Sequence, residues 1–217
     1  MTKLYTTAFL LIFFQTFGQK KECFCEKDSL MTENISCDTT YFSNQSKIYW
    51  QFNCDNVWLT LENKNGSKFT IDEVDANLSG YTYRLGYHLI KEYKNRLLFR
   101  NGCGATGPCS YTLIDKSNGN KIEEFGQLIC IDTDVQLENE HLYDFDFIVY
   151  LSDESIVIYN IENKKTIKVP FKEKLTAVIP EHQFDKMILR NNVLTIFYET
   201  DNGKKTLKVN LNKKYSR

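Results

Sequence analysis

The sequence has little of what many enzymes, nucleic-acid-binding proteins and membrane proteins carry. Its 217 residues include only three histidines and three prolines, and its formal net charge is −1. A charge so close to zero argues against nucleic acid as a partner, because binding to phosphates needs a basic surface. The first apolar run ends at Phe14 and no second long one follows, so we expect no membrane span.

The motifs of common catalytic and cofactor sites are also missing. The sequence contains no Gly-x-Ser-x-Gly elbow, no His-Glu-x-x-His pair, no glycine-rich phosphate loop and no Cys-x-x-Cys-His haem attachment. Nothing therefore nominates a nucleophile, a general base or a cofactor, and we expect none.

The N-terminus, in contrast, has the pattern of an exported protein. Lys3 precedes the apolar run Ala8 to Phe14, and Thr16-Phe17-Gly18 places small residues where a signal peptidase cleaves. We interpret residues 1–18 as a signal peptide, which predicts a secreted or periplasmic mature chain.

Export would carry the seven cysteines of the chain into an oxidising compartment, where disulfides persist. Cys103 and Cys109 are separated by Gly-Ala-Thr-Gly-Pro and flanked by strand-like segments, so we predict a disulfide that closes a hairpin loop. Cys130 lies in the apolar run Leu128-Ile129-Cys130-Ile131 and is predicted to be a buried free thiol.

Residues 19–38 form a charged, cysteine-rich segment without a steady hydrophobic period, which we interpret as an irregular N-terminal arm. Cys23 and Cys25 are too close together to pair without strain. We expect them to reach Cys37 and Cys54 and so to tie the arm onto the following domain.

Residues 39–217 are predicted to form a single all-β domain. The chain has 13 Tyr and 15 Phe besides many β-branched residues, which favour strands, while Asn, Asp and Gly cluster between the apolar runs. Four times an apolar strand enters a turn and leaves through a Lys-bearing strand, at Asn65-Gly66, Asn118-Gly119, Asn163-Lys164 and Asn202-Gly203. Asn-Gly is the strongest short hairpin signal.

A further apolar run precedes each hairpin, and we expect one more strand before three of these runs, around residues 87–93, 141–145 and 175–180. Units of roughly 40 to 50 residues with four strands each are typical of propeller blades. We therefore predict an antiparallel, propeller-like arrangement of about four four-stranded units. A β-sandwich and an open meander are the alternatives.

Tyrosines near glycines provide the best candidates for recognition. Tyr81, Tyr83 and Tyr87 lie around Gly80 and Gly86, and we predict a stacking surface for sugars or peptides there, although most other aromatic residues are expected in the core.

The histidines and acidic pairs are weaker candidates. His88, His141 and His182 precede strands at uneven offsets, so we expect ordinary histidines and no metal site. Two pairs, Asp132 with Asp134 and Asp144 with Asp146, are interpreted as solvated acids at strand ends.

These features predict an exported, non-enzymatic β-domain that binds a protein or a glycan, or takes part in an envelope assembly. The alternative is a secreted hydrolase that acts on glycan or protein through strand-end carboxylates such as Asp144 and Asp146. A third hypothesis is a small inhibitor that projects the Cys103–Cys109 loop. The oligomeric state does not follow from the sequence.

Overall fold

The computed structural model describes residues 35–81, 86–105, 107–130 and 146–212, and for residues 79–81 it describes the backbone only. Within these ranges the chain forms fourteen strands in four antiparallel sheets. Each sheet is a meander, because strands that follow one another along the chain are hydrogen-bonded neighbours.

The first two sheets have four strands each. The first contains β1 (Thr39–Tyr41), β2 (Lys47–Phe52), β3 (Asn56–Glu62) and β4 (Lys68–Asp75). The second contains β5 (His88–Glu92), β6 (Arg96–Asn101), β7 (Ser110–Asp115) and β8 (Lys121–Phe125). A 3-10 turn, Ala76–Tyr81, lies on the connection between them.

The third and fourth sheets have three described strands each. The third contains β9 (Phe147–Ser152), β10 (Ser155–Asn160) and β11 (Thr166–Pro170). The fourth contains β12 (Phe184–Arg190), β13 (Val193–Thr200) and β14 (Gly203–Asn210), and the 3-10 turn Pro180–Gln183 leads into it.

The four predicted hairpins are confirmed as β3–β4, β7–β8, β10–β11 and β13–β14. Gly66, Gly119 and Gly203 have φ angles of 79°, 69° and 97° in these turns, and Lys164 takes the same role with φ 58°. Glycine adopts this left-handed region without steric cost, which explains why the Asn-Gly signal located the turns correctly.

The predicted strand at residues 175–180 is wrong. This segment is irregular, and Leu175 packs against the core. The backbone N–H groups of Thr176 and Ala177 donate to Oε1 of Gln183 at 2.6 and 2.7 Å. A side-chain amide thus takes the donors that a strand would give to its neighbour.

Hydrophobic clusters join successive sheets. One cluster connects the first sheet to the second, another the second to the third, and a third the third to the fourth; central members are Leu59 and Phe99, Tyr111 and Tyr159, and Ile156 and Ile196. Each sheet therefore buries a face against the next one along the chain.

The all-β, antiparallel prediction is confirmed. No cluster of described residues joins the first sheet to the fourth. A propeller ring therefore stays a prediction, and so does the set of four strands in the third unit, since residues 141–145 lie outside the described ranges. The described part of the chain has no helix with the length and hydrophobicity that crossing a membrane requires.

An ion pair within the second sheet, between Lys116 and Glu92, also contacts the loop between β1 and β2 of the first sheet. Lys116 is 1% exposed, and its Nζ donates to Oε1 of Glu92 at 2.5 Å and to the carbonyl oxygen of Lys94 at 3.3 Å. The ammonium group lies 5.4 Å from the ring centroid of Phe42. Oε1 of Glu92 also accepts hydrogen bonds from the N–H and hydroxyl groups of Ser43, at 3.0 and 2.7 Å.

Candidate functional site

Three aromatic side chains share one face of the first sheet. Tyr41 pairs with Lys47, and Tyr49 pairs with Thr60, which is two residues from Trp58 on the same strand. Cross-strand partners lie on the same face of a sheet, and so do residues two apart on one strand. Tyr41, Tyr49 and Trp58 therefore form a diagonal across β1, β2 and β3. At about 7–8 Å per diagonal step it spans about 15 Å.

This face is directed away from the core. Of the alternate residues of β2, Ile48 and Phe52 are buried and Trp50 packs against the core, whereas Tyr49 is half-buried and Tyr41 is 73% exposed. We call this surface the aromatic face and define it by seven residues: Tyr41, Lys47, Tyr49, Gln51, Trp58, Thr60 and Glu62.

Hydrogen bonds fix Gln51 between two of its neighbours. Its Oε1 accepts from Nε1–H of Trp58 at 3.2 Å and from the hydroxyl of Thr60 at 2.9 Å. With Oε1 engaged twice, the Nε2 donors of Gln51 are used by no hydrogen bond among the described residues. The indole plane and the amide are thus held in position before any ligand arrives.

Glu62 organises the other end of the aromatic face. Its carboxylate accepts from the hydroxyl of Tyr49 at 3.0 Å and pairs with Nζ of Lys47 at 3.1 Å. Lys68 lies further away, at 4.0 Å. The hydrogen bond from Lys47 holds the pKa of the Glu62 carboxyl below its ordinary value, against the opposing effect of desolvation. Glu62 is therefore a charged acceptor at neutral pH and unsuited to act as a general acid.

The side chains of the aromatic face are suited to bind a ligand. Flat rings offer stacking area at little conformational cost, and amide, carboxylate and ammonium groups between them offer directional hydrogen bonds.

The disulfide between Cys103 and Cys109 is present, and it closes the loop between β6 and β7. The buried side chain of Gln127 braces this loop, because its Oε1 accepts from the N–H of Cys109 at 2.8 Å. Gly102, with φ 62°, turns the chain into the loop.

Where the structure describes them, the other cysteines have the bonding states that the sequence predicts. Cys130 is a free thiol with 2% exposure, as predicted, and burial raises its pKa to about 12. Cys37 and Cys54 are both in disulfide bonds. The pairing with Cys23 and Cys25 stays a prediction, because those two residues lie outside the described ranges.

The predicted tyrosine patch is only partly described. Tyr81 ends a 3-10 turn, its side chain is not described, and Tyr83 lies outside the described residues. Tyr87 is half-buried, and its ring centroid lies 5.6 Å from that of Phe99 in the core between the first two sheets. That contact is the packing role expected of most aromatic residues here, so a ligand at these tyrosines stays a prediction.

The predicted histidines and acids are not brought together where they are described. His88 begins β5, His182 lies in the 3-10 turn before β12, and Asp146 is exposed just before β9. His141, Asp132, Asp134 and Asp144 lie outside the described residues, so the hydrolase alternative stays untested. Among the residues that are described, no group of three or more His, Cys, Asp or Glu is arranged to hold a metal ion.

Sequence reasoning missed the aromatic face. The local signal was present, because Lys47, Tyr49 and Gln51 alternate with the apolar residues of β2. The diagonal itself depends on the register of three strands, which the alternation does not reveal.

Comparisons with known proteins add little. No family model matches the chain, and neither does any curated protein. One similar solved structure is the uncharacterised protein lmo1340 of Listeria monocytogenes EGD-e, with 8% identity and a TM-score of 0.31. The alignment covers 82% of this chain, which spans 64% of the length of that one.

Proposed function

We propose that this protein is an exported, non-enzymatic β-domain that binds a glycan chain on the aromatic face of its first sheet. The observation that carries the proposal is the diagonal of Tyr41, Tyr49 and Trp58, with polar groups held between the rings by hydrogen bonds.

A glycan suits this arrangement better than a protein partner does. Protein interfaces commonly place apolar anchors in a dry centre and polar groups at the rim. On the aromatic face, the partly exposed Gln51 and Glu62 lie among the rings instead, and the buried Thr60 helps to hold Gln51 in place. A sugar presents C–H groups on the faces of its ring and hydroxyl groups around the edge, so it uses stacking and hydrogen bonding together.

Export fits the same proposal. The Cys103–Cys109 disulfide is of a kind that persists in oxidising compartments, where envelope and extracellular glycans are found. The signal peptide over residues 1–18 remains a prediction from the sequence, outside the described part of the chain.

The test is a glycan microarray with neutral polysaccharides and peptidoglycan fragments, followed by titration of any ligand found. Tyr41→Ala removes a ring that is 73% exposed, so the fold should survive the change. We expect binding to weaken by about tenfold, and Trp58→Ala to weaken it by about thirtyfold or more, because buried aromatic anchors contribute most to binding.

Val178→Ala is the matched control, since Val178 is 91% exposed and distant in sequence from the first sheet. It should bind like the unmodified protein. Binding that is unaffected by both aromatic changes, or failure of every glycan tested to bind, contradicts the proposed function.

A further inference from the structure

The last sheet has an outward face whose charge is mainly positive. The residues that alternate with the buried Leu194, Ile196 and Val209 lie on this face. We call it the basic face and define it by its cations and its central strand: Lys186, Arg190, Lys204 and Lys208, with Val193, Thr195, Phe197 and Glu199 of β13 between them.

The strand register places these cations at regular intervals. Glu199 pairs with Lys204, and the next position along the same face pairs Phe197 with Lys186. Thr195 then pairs with Lys208, and Val193 pairs with Arg190. Successive residues on one face are about 7 Å apart, so a cation flanks β13 about every 7 Å, on alternate sides, over about 20 Å.

The cations are available to a ligand. All four are exposed, and no ion pair among the described residues involves any of them. Nζ of Lys186 lies 4.9 Å from the ring centroid of Phe197. Glu199 lies on the face itself and Asp185 lines the depression at its end, so the four cations outnumber the acids by two to one.

A depression opens at one end of the basic face. Its volume is about 940 Å³, and its lining includes Lys186, Phe197, Lys204 and Thr206. Lys205 and Glu173 also line it but neutralise each other, with 2.7 Å between Nζ and Oε2. The remaining charged lining residue is Asp185.

We infer that the basic face is a second binding site, which takes a linear anionic polysaccharide laid along β13. The argument is charge complementarity: single cations that advance about 7 Å per step along β13, on alternate sides of the strand, suit a sparsely charged linear polyanion such as a polysaccharide with carboxylates on its sugars. A DNA duplex carries one charge per about 1.7 Å, which is far denser than this row. The inference does not depend on the proposed function, because the two faces belong to different sheets.

The experiment measures binding of the mature protein to immobilised sodium alginate, with neutral dextran as the uncharged polymer and poly-dT as the nucleic acid. We expect alginate to bind and dextran not to bind. If four cations displace counterions on binding, a plot of the logarithm of the association constant against the logarithm of the salt concentration should have a slope no steeper than about −3.

Two variants with the same charge change locate the site. The first replaces Lys186, Arg190, Lys204 and Lys208 with Gln, and we expect at least a tenfold loss of alginate affinity. The control replaces Lys64, Lys165, Lys168 and Lys172, which are exposed elsewhere, and we expect less than a threefold change. Circular dichroism confirms that both variants are folded, and Tyr41→Ala should leave alginate binding unchanged.

Three results overturn the inference. One is no binding of alginate at 20 mM salt, and another is an equal loss in the two variants, which would indicate non-specific attraction. The third is binding of poly-dT at least as tight as that of alginate, which would assign the face to nucleic acid.

Discussion

The buried ion pair between Lys116 and Glu92 leads to an asymmetric prediction about stability. Side-chain exposure is 1% for Lys116 and 30% for Glu92. Breaking a fully buried pair by removing one partner costs about 3–5 kcal/mol, mainly because the other charge stays buried and unpaired. Glu92→Gln leaves the ammonium group of Lys116 buried without a charged partner. Because Glu92 is 30% exposed, we expect a cost below that of a fully buried pair, about 2–3 kcal/mol.

Lys116→Met should cost less, about 1 kcal/mol, although it removes the more deeply buried group. Methionine keeps an unbranched apolar side chain against Phe42, and the carboxylate that remains is partly solvated and keeps both hydrogen bonds from Ser43. In the Lys116→Met background, Glu92→Gln should have almost no further effect on stability, because that variant has no buried cation to lose its partner.

The assay is urea unfolding of the two single variants and the double variant, with the disulfides intact. Stability differences come from the midpoints, provided that the slopes agree. Thermal unfolding gives an independent check, since 2–3 kcal/mol corresponds to about 5–10 °C in a domain of this size. The reasoning is refuted if Lys116→Met costs as much as Glu92→Gln, or if the two changes are additive.

The same pair predicts how stability depends on pH. Desolvation of the Glu92 carboxyl is outweighed by hydrogen bonds from Lys116 and Ser43, so its pKa in the folded state lies below its ordinary value of 4.5. The stability that the ionised Glu92 carboxylate contributes is therefore complete above pH 4.5, and it is lost as the pH falls through the folded-state pKa. Unmodified protein and Glu92→Gln should differ most near neutral pH, and their unfolding midpoints should converge in acid.

Three further predictions concern a turn and the cysteines. Gly119→Ala should cost about 2–4 kcal/mol in urea unfolding, because φ is 69° and an added Cβ would lie 2.6 Å from Cβ of Phe69. Replacing both Cys103 and Cys109 with Ser should cost about 2 kcal/mol by the same measurement, as expected for a short closed loop. Cys130, with 2% exposure and a pKa of about 12, should not react with Ellman's reagent at pH 8 until the protein is unfolded.

Each of these has a control or a contradicting outcome. Gly66→Ala also changes a turn with positive φ, but an added Cβ would have no atom within 4 Å, so it should cost only about 1 kcal/mol. Equal costs for the two glycines would rule out the contact with Phe69. Rapid labelling of Cys130 in the native protein would contradict its burial, and an unchanged midpoint without the Cys103–Cys109 bridge would show that the loop is held by Gln127 instead.

The sequence predicted the structure best where the signal is local. Asn-Gly pairs require a left-handed φ within two residues, so the hairpins at Gly66, Gly119 and Gly203 could be located without knowing the fold. Cys103 and Cys109 are six residues apart, and their pairing likewise depends only on a short loop.

Features that depend on individual side-chain contacts were missed. Gln183 takes the backbone donors of Thr176 and Ala177, and no pattern of hydrophobicity predicts that a side-chain amide will replace a strand. The ion pair of Glu92 and Lys116 joins residues 24 apart in sequence. Each depends on how segments meet in space, which a single sequence does not specify.

The two candidate binding faces lie where the architecture leaves surface to be used. When four sheets pack in chain order, every shared face becomes core, as the clusters around Leu59, Tyr111 and Ile196 show. The outward faces of the first and last sheets do not belong to these clusters, so the residues there need not be apolar.

The outward residues of the first sheet include Tyr and Trp with fixed polar groups, and those of the last sheet include spaced cations around Phe197. The ring of Tyr41 is 73% exposed and contributes little to folding, which favours recognition as the reason for its presence. If that reasoning holds, Tyr41→Ala should weaken glycan binding without lowering the urea midpoint, whereas a core change such as Leu59→Ala should lower the free energy of unfolding by about 2–5 kcal/mol, and the midpoint with it.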